Sequence, residues 1–301
     1  MSVTSSSVPP NRLPAPSAVL ELFKPVTWFA AMWAFTCGAI SAGQPIDGRW
    51  VQLALGILLV GPMVCASSQA VNDWFDRHVD AINEPDRPIP SGRIPGQWGL
   101  IIAVFWSAVS LGLGAYLGIW AMWGTVCALI LSWAYSMPPV RLKLNGWYGN
   151  AAVGFSYEGL AWFTGAAVFL GGRPSFEIIT LAVLYSIGAH GIMTLNDFKA
   201  IEGDRQMGVR SLPVQLGAER AGLVACIVMI VPQVIVSLLL FAWNQPAHGA
   251  VILLSIVGQG FLMRRMLRDP EALAPWYNAT GVLAYVAGMM VSAFAVRGLG
   301  V

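Results

Sequence analysis

Two short stretches of this 301-residue chain gather eight of its fifteen acidic residues. Asp73, Asp76 and Asp80 stand at i, i+3 and i+7, which puts all three carboxylates on one helical face. Glu84 and Asp86 follow them, and Asp197, Glu202 and Asp204 form the second group. Asp197 and Asp204 are also seven apart and share a face wherever the helix persists that far. The stretches resemble each other. Asn72-Asp73 runs on to Asp86-Arg87-Pro88-Ile89-Pro90-Ser91, while Asn196-Asp197 runs on to Asp204-Arg205 and then Ser211-Leu212-Pro213. Such a pattern predicts a duplicated helical unit with two equivalent acidic corners facing one cavity.

Each group is predicted at the C-terminal end of a helix, where the dipole disfavours an anion and the carboxylates repel one another. A bound divalent cation resolves both costs, and ligands that are all oxygen, without a His or Cys cluster, select Mg²⁺. Mg²⁺ keeps open positions that substrate phosphate fills. Arg77, Arg87, Lys143, Lys199, Arg205 and Arg210 lie beside the acids in sequence or topology and can hold the same phosphates. A diphosphate bridged by Mg²⁺ is the ligand these corners accommodate. The competing expectation is a solvated loop whose acids simply pair with Arg77, Arg87, Arg93 and Arg205.

The elements that must position these residues are hydrophobic. Apolar residues make up 56% of the chain and charged ones 11%, against roughly 25% charge in a soluble domain, and the mean hydropathy is +0.65. An all-α integral membrane protein is predicted. About 20 apolar residues cross the hydrocarbon core, and nine such segments are readable: 25–42, 51–71, 98–117, 119–135, 150–170, 178–195, 221–243, 250–267 and 280–296. Between the third and fourth, Gly118 makes the turn. With nine spans, fourteen of the seventeen basic residues fall on one side, leaving only Arg49, Arg173 and Arg297 on the other. That bias places the N-terminus and both acidic corners in the cytoplasm. Residues 1–20, rich in Ser and Pro, are expected as a flexible arm without a cleaved signal peptide, and residues 21–301 as the helical domain. A net charge of +2 leaves no basic surplus for nucleic acid. Cys37, Cys65, Cys127 and Cys226 read as buried thiols.

Asn72-Asp73-x-x-Asp76-x-x-x-Asp80 resembles the first aspartate-rich motif of the UbiA superfamily of intramembrane prenyltransferases. The longer run from Asn72 through Asn83-Glu84-Pro85-Asp86-Arg87-Pro88 to Gly92 resembles the chlorophyll and bacteriochlorophyll synthase branch, as does Asp197-Phe198-Lys199-Ala200-Ile201-Glu202-Gly203-Asp204-Arg205. The Lys24-Pro25-x-Thr27-Trp28 start is similar to the bacterial side of that branch. Where many members have DxxxD as the second motif, Ala200 replaces the first aspartate; Asp197, or else Glu202, stands in for it. The Tyr135-Ser136-x-Pro138-Pro139-x-Arg141-x-Lys143 loop resembles the family's diphosphate-side loop, assigning Arg141 and Lys143 to diphosphate, although both also serve as topology signals.

The resemblance implies nine helices around a central cavity in a bacterial inner or intracytoplasmic photosynthetic membrane. It implies transfer of a geranylgeranyl or phytyl group from its diphosphate to the propionate of a bacteriochlorophyllide. Asp73, Asp76, Asp80, Asp197 and Asp204 would be the catalytic acids, holding Mg²⁺ with Asn72 and Glu202, and Arg77, Arg87, Arg141, Lys143, Lys199 and Arg205 would bind diphosphate. A carboxylate acceptor needs no strong base, and the chain has no Ser/His/Asp or Cys/His constellation. His190 and Glu158, deep in their helices, and Trp74 are candidate tetrapyrrole contacts; a helix-to-helix hydrogen bond is the alternative for the first two. Trp28, Trp33, Trp133, Trp147 and Trp162 are candidate walls for a flat macrocycle. Chlorophyllide, a quinone precursor or haem are alternative acceptors, and a cation transporter is the alternative outside the enzyme class. Pigment-assembly proteins would suit the apolar exterior, and no residue names one.

Overall fold

The computed structural model describes residues 13–300, so most of the expected arm lies outside the described residues. Its last part is not loose. Pro16–Leu22 forms a short helix, α1, that buries Ala18, Leu22 and Phe23 against Ala66, Ala70, Val71, Ile94 and Ala103. The chain then turns at Lys24, whose φ of 45° is left-handed, runs through one tight turn at Pro25–Thr27, and bends by 58° into α2 (Phe29–Ser41).

The remaining helices are α3 (Trp50–Asn83), α4 (Trp98–Leu117), α5 (Ile119–Ser136), α6 (residues 146–170), α7 (Phe176–Met207), the short α8 (Leu212–Leu216), α9 (Ala218–Ala242), α10 (Pro246–Met266) and α11 (Pro270–Arg297). The protein is all-helical and crosses the membrane several times. Among the described residues seven helices are long and apolar enough to span, or eight if the bent piece ending in α2 counts as one. The helix carrying the first acids continues to Asn83, well past the predicted end at 71, so Asp73, Asp76 and Asp80 ride on regular helix. Helix α11 likewise begins ten residues earlier than predicted, because Pro270 suits a first turn and the Asp269 carboxylate accepts from Ala272 N at 3.2 Å. Gly118 makes the expected turn with φ 127°. Cys37, Cys65 and Cys226 are buried, but Cys127 is exposed on the outer side of α5, where a small apolar thiol faces lipid at no cost.

Two helices loosen from α geometry. Leu59–Cys65 in α3 and Phe155–Leu160 in α6 widen into π turns. In the first, Pro62 has no N–H to give the ladder, and its own carbonyl accepts from the Trp106 indole at 2.9 Å.

Lipid offers little hydrophobic drive between helices, so small residues and satisfied polar pairs hold the bundle. Helices α2 and α6 touch backbone to backbone: a Cβ on Gly38 would lie 2.0 Å from the Trp162 carbonyl oxygen, and one on Gly165 2.0 Å from that of Phe35. Trp162 is fully buried, donates to Ser41 Oγ at 3.0 Å and stacks on Tyr185 with centroids 5.6 Å apart. The Tyr285 hydroxyl donates to the Tyr185 carbonyl at 2.6 Å, tying α11 to α7. Between α9 and α10, Gln233 and Gln259 exchange amide hydrogen bonds at 3.1 and 2.8 Å, both fully buried.

Candidate active site

Asp73, Asp76 and Asp80 of the first corner are each met by a cation from outside their helix. Asp73, 1% exposed, accepts from Lys24 Nζ at 2.7 Å, with Arg87 Nη1 at 3.6 Å. Asp80 pairs with Arg87 at 2.9 Å, and Arg87 also grips Glu84 at 2.5 Å. Asp76 is bound by Lys143 Nζ, with Arg141 Nη2 at 3.5 Å. Asn72 donates to Asp76 Oδ2 and to Ser136 Oγ, both at 3.1 Å, linking the corner to the end of α5. Burial pulls the Lys143 ammonium below the usual lysine range, partly offset by the Asp76 carboxylate. Burial pulls the Arg87 guanidinium the same way, but its hydrogen bond to Glu84 and the charges of Asp73 and Asp80 outweigh that and raise it.

The second corner is built otherwise. The chain tightens into a 3₁₀ turn at Asp197–Ala200 before resuming as α helix. The seven-residue spacing of Asp197 and Asp204 therefore crosses a change of pitch and does not define one helical face. Asp197 Oδ2 accepts from Asn150 Nδ2 at 3.0 Å, and that amide also reaches Thr194 Oγ1 at 3.3 Å. Neither Asp197 nor Asp204 has an ion pair among the described residues. Glu202 is exposed, pairs with Arg205 at 3.4 Å and accepts from Gln206 at 2.8 Å, pointing to solvent. Lys199 and Arg210 are exposed too.

One cavity of about 490 Å³ touches both corners through the asparagines that precede Asp73 and Asp197. Asn72 and Asn196 both line it, with Gln69, Tyr135, Tyr157 and Glu158 and apolar side chains of α2, α5, α6 and α7. A crevice lined by Val60, Val64, Gly124, Thr125 and Leu160 shares Ser68, Ser132, Ser156 and Tyr157 with it. The loop carrying Arg141 and Lys143 is fastened to the segment after the second corner: Gly146 N donates to Arg210 O at 2.8 Å and Arg210 N to Leu144 O at 2.9 Å.

Of the residues singled out in sequence, Asn72, Asp73, Asp76, Asp80, Arg87, Arg141 and Lys143 come together, with Asp197 across the cavity. Arg77 does not join them. It lies 4.0 Å over the Trp74 ring and donates to the Trp74 carbonyl at 2.6 Å, occupying both that guanidinium and that indole face. Arg205 is turned outward by Glu202. His190 makes the interhelical bond, its Nε2 3.2 Å from Trp147 O, and stays outside the cavity lining. None of the tryptophans lines the cavity either; Trp28, Trp33, Trp133 and Trp162 spend their indole N–H on Phe23, Val286, Ser107 and Ser41. The arginine-pairing expectation holds for Arg87 and Arg205, since Arg77 turns to Trp74 and Arg93 reaches instead to Glu21 at 2.5 Å. Two residues escaped sequence reading. Lys24 counted only as a topology signal, and its Lys-Pro start was the sign that it turns inward. Asn150 looked like the first residue of a span, although a carboxamide in an apolar run asks for a polar partner.

The donors at the first corner suit a hard cation. They are oxygens, and Asp73 Oδ2 is buried with no hydrogen-bond partner among the described residues. Among the described residues no three carboxylate, histidine or cysteine groups already converge on one point; lysines and arginines occupy the carboxylates instead.

Comparison with known proteins identifies the family. Residues 28–283 match the UbiA prenyltransferase family. The chain belongs to that family and is a membrane-embedded prenyltransferase. It is 56% identical to the bacteriochlorophyll synthase 33 kDa chain of Cereibacter sphaeroides, covering 97% of each protein. To the chloroplastic chlorophyll synthase of Oryza sativa subsp. japonica it is 38% identical, over 92% of this chain and 76% of that one. A UbiA homolog from Archaeoglobus fulgidus, solved bound to GPP and Mg²⁺, superposes with a TM-score of 0.71 over 93% of this chain and 99% of that one, at 19% identity. Family membership sets aside the transporter alternative.

Proposed function

We propose that the chain transfers a geranylgeranyl or phytyl group from its diphosphate to the propionate carboxylate of a bacteriochlorophyllide. The observation that carries this reading is the cluster of carboxylates paired with lysine and arginine cations around Asn72, which itself lines a large, mostly apolar cavity. A bacteriochlorophyll acceptor accords with the bacterial relative's higher identity over the plant one.

Asp73, Asp76 and Asp80 with Asn72 on one side, and Asp197 and Asp204 on the other, would hold Mg²⁺. The ion would supply charge neutralisation of the diphosphate. Lys24, Arg87, Arg141 and Lys143 turn from the carboxylates to the phosphate oxygens and stabilise the negative charge of the leaving group. The isoprenoid tail lies in the cavity and its crevice, where water is excluded. The allylic C–O bond breaks with its electron pair leaving on diphosphate, and a propionate oxygen forms the new C–O bond of the ester. No proton is released, so no side chain has to act as base.

Residues 146–170 would be the ninth span: 25 residues at about 1.5 Å each exceed a core of roughly 30 Å. The bias of basic residues orients the N-terminus and both corners toward the cytoplasm of a bacterial inner or intracytoplasmic membrane.

Purified protein in detergent with Mg²⁺, geranylgeranyl diphosphate and bacteriochlorophyllide a should give esterified pigment on chromatography, and EDTA should stop it. Turnover only with chlorophyllide or a quinone precursor would keep the mechanism and discard the acceptor.

A further inference from the structure

Glu158 has no role in the chemistry above. It lies in the π turn Phe155–Leu160, is 7% exposed, and its Oε2 is buried without a hydrogen-bond partner among the described residues. No salt bridge of the described residues reaches it, yet its side chain lines the main cavity. The π turn packs on α2 and α7, and the extra residue of such a turn is a known way of aiming one side chain out of register. An unpaired acid in an apolar wall is costly, and as the neutral acid it carries an O–H donor that needs an acceptor.

An isoprenoid chain offers no acceptor. The donor substrate cannot satisfy Glu158, whereas an oxidised tetrapyrrole rim can. Asn150, which holds Asp197, lies eight residues earlier on the same helix, so Glu158 sits about 12 Å deeper at 1.5 Å per residue. With the propionate at the acidic corners, the keto and ester groups of the fifth ring stay beside it. The ring substituent that reaches so deep is on the opposite rim: an acetyl group in bacteriochlorophyllide a and a vinyl group in chlorophyllide a. Only the acetyl can accept a hydrogen bond.

We propose that Glu158 is the acceptor-selecting residue, donating a hydrogen bond from its carboxyl group to the acetyl carbonyl of the bacteriochlorophyllide. The inference rests on the transfer reaction proposed above. It makes the preference for acetyl over vinyl a property of one side chain in the cavity wall.

The test compares the full-length protein with Glu158→Gln and Glu158→Leu, using geranylgeranyl diphosphate and either acceptor. Glu158→Leu should lower kcat/KM for bacteriochlorophyllide a by about 10- to 100-fold, leave chlorophyllide a unchanged or improved, and leave the KM for the prenyl diphosphate unmoved. Glu158→Gln, which still donates, should keep most of the preference. Resonance Raman spectra of bacteriochlorophyllide bound to the unmutated protein should show the acetyl C=O stretch lowered relative to free pigment. An unshifted stretch, equal losses for both acceptors, or a raised KM for the prenyl diphosphate would each overturn the assignment, and the Raman result does so even if Glu158→Leu fails to fold. If the unmutated protein esterifies both pigments equally, the Glu158 assignment falls and the transferase reading stands. If it esterifies neither, the reading falls and takes this role with it.

Discussion

The two acidic corners look alike in sequence and are neutralised differently in the fold. Asp73, Asp76 and Asp80 are each held by a lysine or arginine drawn from three other places: the turn before α2, the loop after α3 and the loop after α5. Asp197 has only the carboxamide of Asn150, and Asp204 has no ion pair among the described residues. A carboxylate compensated by the protein tolerates the absence of a metal, whereas one without a counter-charge waits for it. On the proposed reading the first corner exchanges protein cations for an incoming ion, and the second receives one.

The sharpest way to break this contrast is to remove one charge from each side. Asp76→Asn should cost about 10²- to 10³-fold in kcat, as the loss of a group stabilising a leaving anion does, measured as ester formed per unit time. Asp197→Asn should act chiefly through the ion, raising the Mg²⁺ concentration for half-maximal rate by about 10- to 100-fold; Asn150→Ala should move it in the same direction by less. Lys24→Gln should raise the KM for the prenyl diphosphate by about tenfold while kcat changes less, since one charge-assisted contact is lost. Glu202→Gln, an exposed pair with Arg205, should stay within about twofold in rate. If Asp197→Asn proves as mild as Glu202→Gln, the second corner is not a metal site and the contrast fails.

Much of this was readable beforehand because it is written in local periods. The apolar runs gave the long helices, and the i, i+3, i+7 spacing gave the shared face of Asp73, Asp76 and Asp80. What the sequence could not reveal depends on contacts between distant segments. Lys24 reaches Asp73 across 49 residues and Lys143 reaches Asp76 across 67, distances over which no periodicity carries information. The change of helical pitch at 197–200, which redirects Asp197 relative to Glu202, follows no fixed period in the sequence. Arg77 and Trp74 were misjudged because neighbours in sequence satisfied each other. His190 found its partner across helices instead, at the Trp147 carbonyl 43 residues away in sequence.

The reciprocal amide pair of Gln233 and Gln259 bears on how the chain reaches its place. Either helix released alone into hydrocarbon would carry an unsatisfied carboxamide near its middle, while the two together carry none. Helices α9 and α10, joined by a connection of three residues, therefore leave the insertion machinery most cheaply as a hairpin. For these two helices, insertion in one step costs less than insertion one at a time.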